Sequence, residues 1–193
     1  MHLKPQGEKL YVHRPRIIRV GRSKLREKLN EQISAYKARE RVYSAISAGA
    51  FFILLGIVYV INLPSNLWDE MVYFFGRFTL AEVPGTGILL PAPISPADHA
   101  ALYGAVFQFC IGLGILQIIM LVLRFTSQSS IGKTAETMGN LVYWFGSAYL
   151  VATYLNSTTT ISMWFVYWAG ILIILGLSFI GRSFVLLAKK MSS

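Results

Sequence analysis

Four stretches of this chain, residues 42–63, 100–123, 138–155 and 162–188, are longer and more apolar than a soluble core requires. About 20 such residues in a helix cross the hydrocarbon layer of a bilayer. Inside that layer no water receives backbone hydrogen bonds, so a segment must pair its own amides as a helix or join a closed barrel. None of the four stretches alternates as a barrel strand does. Pro64 stops the first, Arg124 stops the second, and Lys189-Lys190 follow the fourth; the third is the shortest and most polar. With 54% hydrophobic and 14% charged residues, the expected fold is an all-α integral membrane protein with four transmembrane helices.

The charges orient these helices. Twelve of the eighteen Lys and Arg residues precede Val42. Counting also Arg124, Lys133, Arg182, Lys189 and Lys190, seventeen fall on the N-terminal side of such a bundle and only Arg77 on the other. Basic residues stay in the cytoplasm, so both termini are expected there, in the plasma membrane. The first apolar run begins after some forty polar residues, too late for a cleavable signal, whose apolar core falls within about 30. The arm is expected to stay on the protein. The organisation is then a basic arm and stem over 1–41, a transmembrane domain over 42–188 with an outer loop over 64–99, and a short cytoplasmic tail over 189–193.

Within the stem, Leu25, Leu29, Ile33 and Tyr36 fall at helical spacing and form one stripe among Lys, Arg and Glu. No Gly or Pro lies between Ser23 and Ala48, so the stem is expected to run into the first span unbroken. An apolar stripe with basic flanks suits anionic lipid headgroups or a partner helix. A purely topogenic anchor is the plainer alternative.

The outer loop is long for a helical bundle. Its "NLWDEMVYFFGRFTL" separates Asp69, Glu70, Tyr73 and Arg77 from Leu67, Trp68, Met71, Phe74, Phe75 and Phe78, the pattern of an amphipathic helix in the interface. The next stretch, "EVPGTGILLPAPISP", carries four prolines and two glycines and is expected to be irregular backbone. Ile88, Leu89 and Leu90 form an apolar run there and are the expected contact with another chain. Ser95, Pro96 and Asp98 mark a helix start, with His99 expected as an exposed polar residue.

Small residues permit close helix approach at Ala45, Gly49 and Gly56, and at Gly104 and Gly112 on either side of Gln108. Bundle packing is the expected use, a groove for lipid or quinone the alternative. Tyr143, Trp144, Trp164, Tyr167 and Trp168 lie near span ends and are expected in interface belts rather than around a ligand.

Signs of chemistry are sparse. One cysteine, Cys110, rules out an internal disulfide, a Cys-x-x-Cys pair and a Cys-based zinc site. His2, His13 and His99 are scattered outside the apolar spans. Gly132-Lys133-Thr134 has the ending of a phosphate-binding loop, yet Ser127 stands where its first glycine belongs. Asn156-Ser157-Thr158 is a glycosylation sequon on the outer side. No catalytic, cofactor or metal site and no nucleic-acid partner is expected. The expected role is a non-catalytic accessory or scaffold subunit of a larger membrane complex, through other subunits or self-association. The alternatives are a small transporter or channel formed by oligomerisation, and a membrane enzyme acting on lipid through Asp69, Glu70, Asp98 and His99.

Overall fold

The structure, a computed structural model, describes residues 17–126 and 131–192. The expectations for the first part of the basic arm, for Ser127 and for the last residue of the tail lie outside the described residues. The chain divides into two compact units, residues 1–44 and 45–193.

The described part of the first unit is helical. It belongs to α1, which spans Ile17–Ile61 without interruption, about twice what a crossing needs. In the stem, Leu25, Leu29 and Ile33 are exposed and Tyr36 is half-buried.

The second unit begins within α1. A 3-10 turn over Leu63–Ser65 leads into α2, Leu67–Gly76. Two antiparallel strands follow, β1 over Phe78–Glu82 and β2 over Leu89–Pro93. A second 3-10 turn, Pro96–His99, runs into α3, Ala100–Thr126; α4 is Ile131–Tyr154 and α5 is Ile161–Ser192. Ser95 precedes the second 3-10 turn, with Pro96 at its start, as expected, but its side chain makes no capping hydrogen bond.

Three segments, Lys24–Ile61, Pro96–Thr126 and Ile161–Leu187, are long and apolar enough to cross a membrane. That is the signature of a multi-pass membrane protein. The fourth expected span lies in α4, which is not among them. Its first three turns carry Lys133, Glu136 and Asn140, and much of its length is buried against neighbours rather than turned outward.

Glycines set the spacing of that packing. A Cβ on Gly146 would lie 2.8 Å from the Ile174 side chain, one on Gly170 would lie 2.8 Å from Leu150, and one on Gly139 would lie 3.1 Å from the Ser178 carbonyl oxygen. As residue numbers rise along α4 their partners on α5 fall, so the two helices run antiparallel. Ser178 Oγ closes the contact by donating to the Gly139 carbonyl at 2.7 Å, a buried bond between helices. On the other side of α4, a Cβ on Gly114 of α3 would lie 2.9 Å from the Phe145 ring. The α1 segment meets α3 through Leu54 on Gly112, Phe51 on Phe109 at 5.5 Å between ring centroids, and Asn62 Nδ2 donating to Gln108 Oε1 at 2.8 Å.

The stretch expected to be irregular forms the turn and second strand of a hairpin, and its first strand takes in Phe78, Thr79 and Leu80 from the stretch expected to be helical, since α2 ends at Gly76. Pro84 and Gly85 supply its turn: Thr86 N donates to Val83 O at 3.1 Å, and Gly85 has φ +75°, as a type II turn requires. The prolines of β2 do not break the ladder. Backbone bonds join Val83 to Ile88 and Ile94 to Arg77, and in an antiparallel register bonded pairs alternate with unbonded ones. Pro91 opposite Leu80 and Pro93 opposite Phe78 therefore fall at unbonded positions, where a missing N–H leaves the pairing intact.

Enlarging the glycine that faces backbone, which cannot turn aside as a side chain can, tests this packing. Gly139→Leu is expected to lower stability by about 2 kcal/mol, since overpacking forces the helices apart. Gly49→Leu, where a Cβ meets nothing within 4 Å, is expected to leave the unfolding midpoint in detergent within error of wild type. Thermal unfolding followed by circular dichroism checks both.

Candidate functional site

The segment between α1 and α3 folds over one end of the second unit, and Phe74 is its centre. On α2, Leu67, Met71 and Phe74 recur at helical spacing and face inward, while Trp68, Val72 and Phe75 form a second apolar stripe that is exposed. The Phe74 ring meets His99 at 4.9 Å, Phe78 at 5.1 Å, Trp164 at 5.9 Å and Tyr103 at 6.3 Å, all edge-on. Edge-to-face rings at such distances attract through their quadrupoles beyond the area they bury. One side chain thus ties α2 to β1, α3 and α5.

His99 is not the exposed residue expected. It is 1% exposed, among the most deeply buried side chains described. Its Nδ1 lies 3.7 Å from Glu70 Oε2, beyond hydrogen-bond reach, and both atoms are buried without a hydrogen-bond partner among the described residues. One helical turn along α3, the Tyr103 hydroxyl is likewise buried and unpartnered. Three polar groups with unmet hydrogen bonds are thus gathered in an aromatic shell, each costing about 1–3 kcal/mol. Nearby, Tyr73 and Arg77 pair on the surface: the guanidinium sits over the Tyr73 ring at 4.5 Å and donates to its hydroxyl.

Beside this cluster lies a cavity of about 310 Å³. Its wall is apolar and draws on α1 (Leu55, Val58), α2, α3 (Tyr103, Phe109) and α5. Trp164, Tyr167 and Trp168, expected in an interface belt, line it. Trp164 is itself buried and donates Nε1–H to the Pro91 carbonyl at 3.3 Å, which fastens β2 to α5. Belt residues are recognised by position near a span end; nothing local to "MWFVYW" shows that a hairpin folds onto it.

The other expected residues separate into groups. Leu25, Leu29, Ile33 and Tyr36 belong to the stem, and Ile88, Leu89 and Leu90 are exposed around the start of β2. Ala45 is exposed, and Gly49, Gly56 and Gly104 have open space around them; Gly112 and Gln108 meet α1 as described above. Asp69 and Asp98 are exposed, while Glu70 faces His99. The phosphate-loop ending Gly132-Lys133-Thr134 forms the first turn of α4. There Lys133 donates to Glu136 at 2.9 Å, which holds that carboxyl below its ordinary range; partial burial opposes this, and the Lys133, Arg182 and Arg124 charges reinforce it. The sequon asparagine accepts from the Thr158 hydroxyl at 2.6 Å and its amide N–H at 2.8 Å, closing the turn between α4 and α5. Among the described residues no three His, Cys, Asp or Glu side chains come together. Comparison with protein-family models, curated proteins and solved structures found no match.

Two substitutions separate the structural parts of the cluster. His99→Ala opens a void under Phe74 and is expected to cost at least about 2 kcal/mol. Tyr103→Phe removes a hydroxyl that pairs with no described residue and is expected to stay within about 1 kcal/mol of wild type. Denaturant unfolding of the purified protein checks both.

Proposed function

We propose that this protein is a four-span membrane subunit with both termini in the cytoplasm of a plasma-membrane-bounded cell, and that it docks other membrane chains rather than catalysing a reaction. The antiparallel seating of α4 on α5 supports the fourth crossing, because a helix that lies along a spanning neighbour traverses the same depth. Its lower apolarity fits that place, since part of its surface meets protein instead of lipid. The partition of basic residues supports the orientation. The segment from α2 through the hairpin is then external, and the stem is internal, where its basic flanks meet anionic headgroups.

The observation that carries docking is the hairpin's apolar surface. Leu80, Ile88, Leu89 and Leu90 are 64%, 57%, 57% and 45% exposed on a short two-stranded sheet. An isolated hairpin is marginal in water, and exposed apolar clusters of this kind mark contacts. Pairing the strands fixes these side chains in advance, which lowers the ordering cost of association. The free edge of β2 lacks donors at Pro91 and Pro93, so its side chains rather than its edge form the contact. The apolar cavity wall favours this reading over a solute pathway.

Replacing Ile88, Leu89 and Leu90 together with Ser tests the proposal. Wild type in mild detergent is expected to migrate as a complex on native electrophoresis, and the triple variant as a monomer of unchanged helix content. If wild type is itself monomeric, docking fails and the hairpin is a lipid contact.

A further inference from the structure

We propose that Lys133 and Arg182, at the end of the bundle where α3 finishes and α4 begins, hold the phosphate of an anionic membrane lipid. The inference does not depend on the docking role above and requires only that α3 and α5 span the bilayer. Basic residues at span ends are ordinary, so their presence alone assigns nothing. Two observations set these apart. The first is the balance of charge. Lys133 donates to the Glu136 carboxylate at 2.9 Å, and the charges of Arg182 on α5 and Arg124 on α3 also act on it. Glu136 is the only acidic residue after Asp98, and the sequence from Ser127 to Ser130, which joins α3 to α4, carries no charge. One carboxylate thus faces three cations, and the positive excess lies at the edge of hydrocarbon, where a weakly screened field draws in an anion.

The second is the placing of Arg182. It falls five residues before the end of the apolar segment Ile161–Leu187, about 7.5 Å along the helix. A Cβ on Gly139 would lie 3.6 Å from the Arg182 Cβ, so this side chain starts out against α4 rather than alone in lipid. Arg182 is exposed and makes no ion pair among the described residues. A charge inside the membrane boundary is costly without a partner. The Lys133 side chain is 46% exposed, so both heads are open to a ligand. Lipid phosphates lie at this level of a bilayer. A guanidinium meets a phosphate with two parallel hydrogen bonds, and an ammonium adds a point charge. Arg124 is half-buried and contributes its field. The positive excess selects a lipid of net negative charge over a zwitterionic one, whose own cation it repels.

Phosphatidylglycerol is the probe, added to the full-length protein in detergent while thermal unfolding is followed by circular dichroism. It is expected to raise the unfolding midpoint saturably, since a ligand of the folded state stabilises it. Phosphatidylcholine is expected to leave the midpoint unmoved. Arg182→Gln is expected to raise the phosphatidylglycerol concentration needed for half the shift about tenfold, the loss of one charge-assisted contact. Glu136→Gln removes the one opposing charge and is expected to lower that concentration. Lys24→Gln combined with Lys28→Gln, on the exposed stem, controls for general attraction and is expected to respond as wild type. No shift, or an equal shift with phosphatidylcholine, overturns the proposal. An Arg182→Gln protein that responds as wild type does, or a stem variant that loses the response, puts the lipid elsewhere and also overturns it. A Glu136→Gln protein that needs more lipid contradicts the charge argument. Equal stabilisation by glycerol 3-phosphate alone makes the ligand a soluble phosphate and overturns the lipid assignment.

Discussion

A backbone in hydrocarbon has no solvent to pair with, and that constraint shapes nearly everything in this chain. Wherever the sequence is apolar for some twenty residues the chain is helical, because only a helix satisfies its own amides within one segment. The hairpin and the first 3-10 turn lie outside the three long apolar segments, and the second 3-10 turn stands at the very start of one. Helix association then has little hydrophobic driving force and rests on close contact. Gly114, Gly139, Gly146 and Gly170 allow side chains to seat on backbone, and the Ser178 bond to Gly139 fixes the depth at which α4 and α5 meet.

At the hairpin end the logic is different. Phe74 gathers rings from four elements, and in doing so it closes over Glu70, His99 and Tyr103 without satisfying them. A core built for stability alone would place leucine or phenylalanine at such positions, since buried polar groups are costly unless paired. Their presence against an aromatic recess is what sets this end of the molecule apart from the helix packing elsewhere.

The helices were legible in the sequence and their meeting points were not. Apolar length located all five long or interfacial helices to within a few residues, except that α4 begins at Ile131 rather than at Met138. The uninterrupted stem followed from the lack of Gly and Pro between Ser23 and Ala48. Of the small residues whose spacing points to packing, Gly112 is in close contact, and so are Gly139, Gly146 and Gly170, which no spacing singles out. Spacing on one helix cannot show which glycine a neighbour approaches. The hairpin is hidden in the sequence because prolines ordinarily break strands. Their register at unbonded positions is a property of the pairing, although the Pro-Gly turn between two β-prone runs was a usable signal. His99 and Trp164 depart from expectation for a shared reason: both look like surface residues until α2 and the hairpin fold across them.

The proposed topology depends most on α4 crossing the membrane beside α5, because only then does the α4–α5 turn return to the side that carries the hairpin. Single cysteines introduced by Lys37→Cys, Glu82→Cys and Ser157→Cys in a Cys110→Ala background, exposed in intact cells to a membrane-impermeant thiol reagent, measure this directly. The account predicts labelling at positions 82 and 157, and none at 37 until the cells are opened. Labelling at 82 but not at 157 would contradict the fourth crossing, and labelling at 37 in intact cells would contradict the orientation.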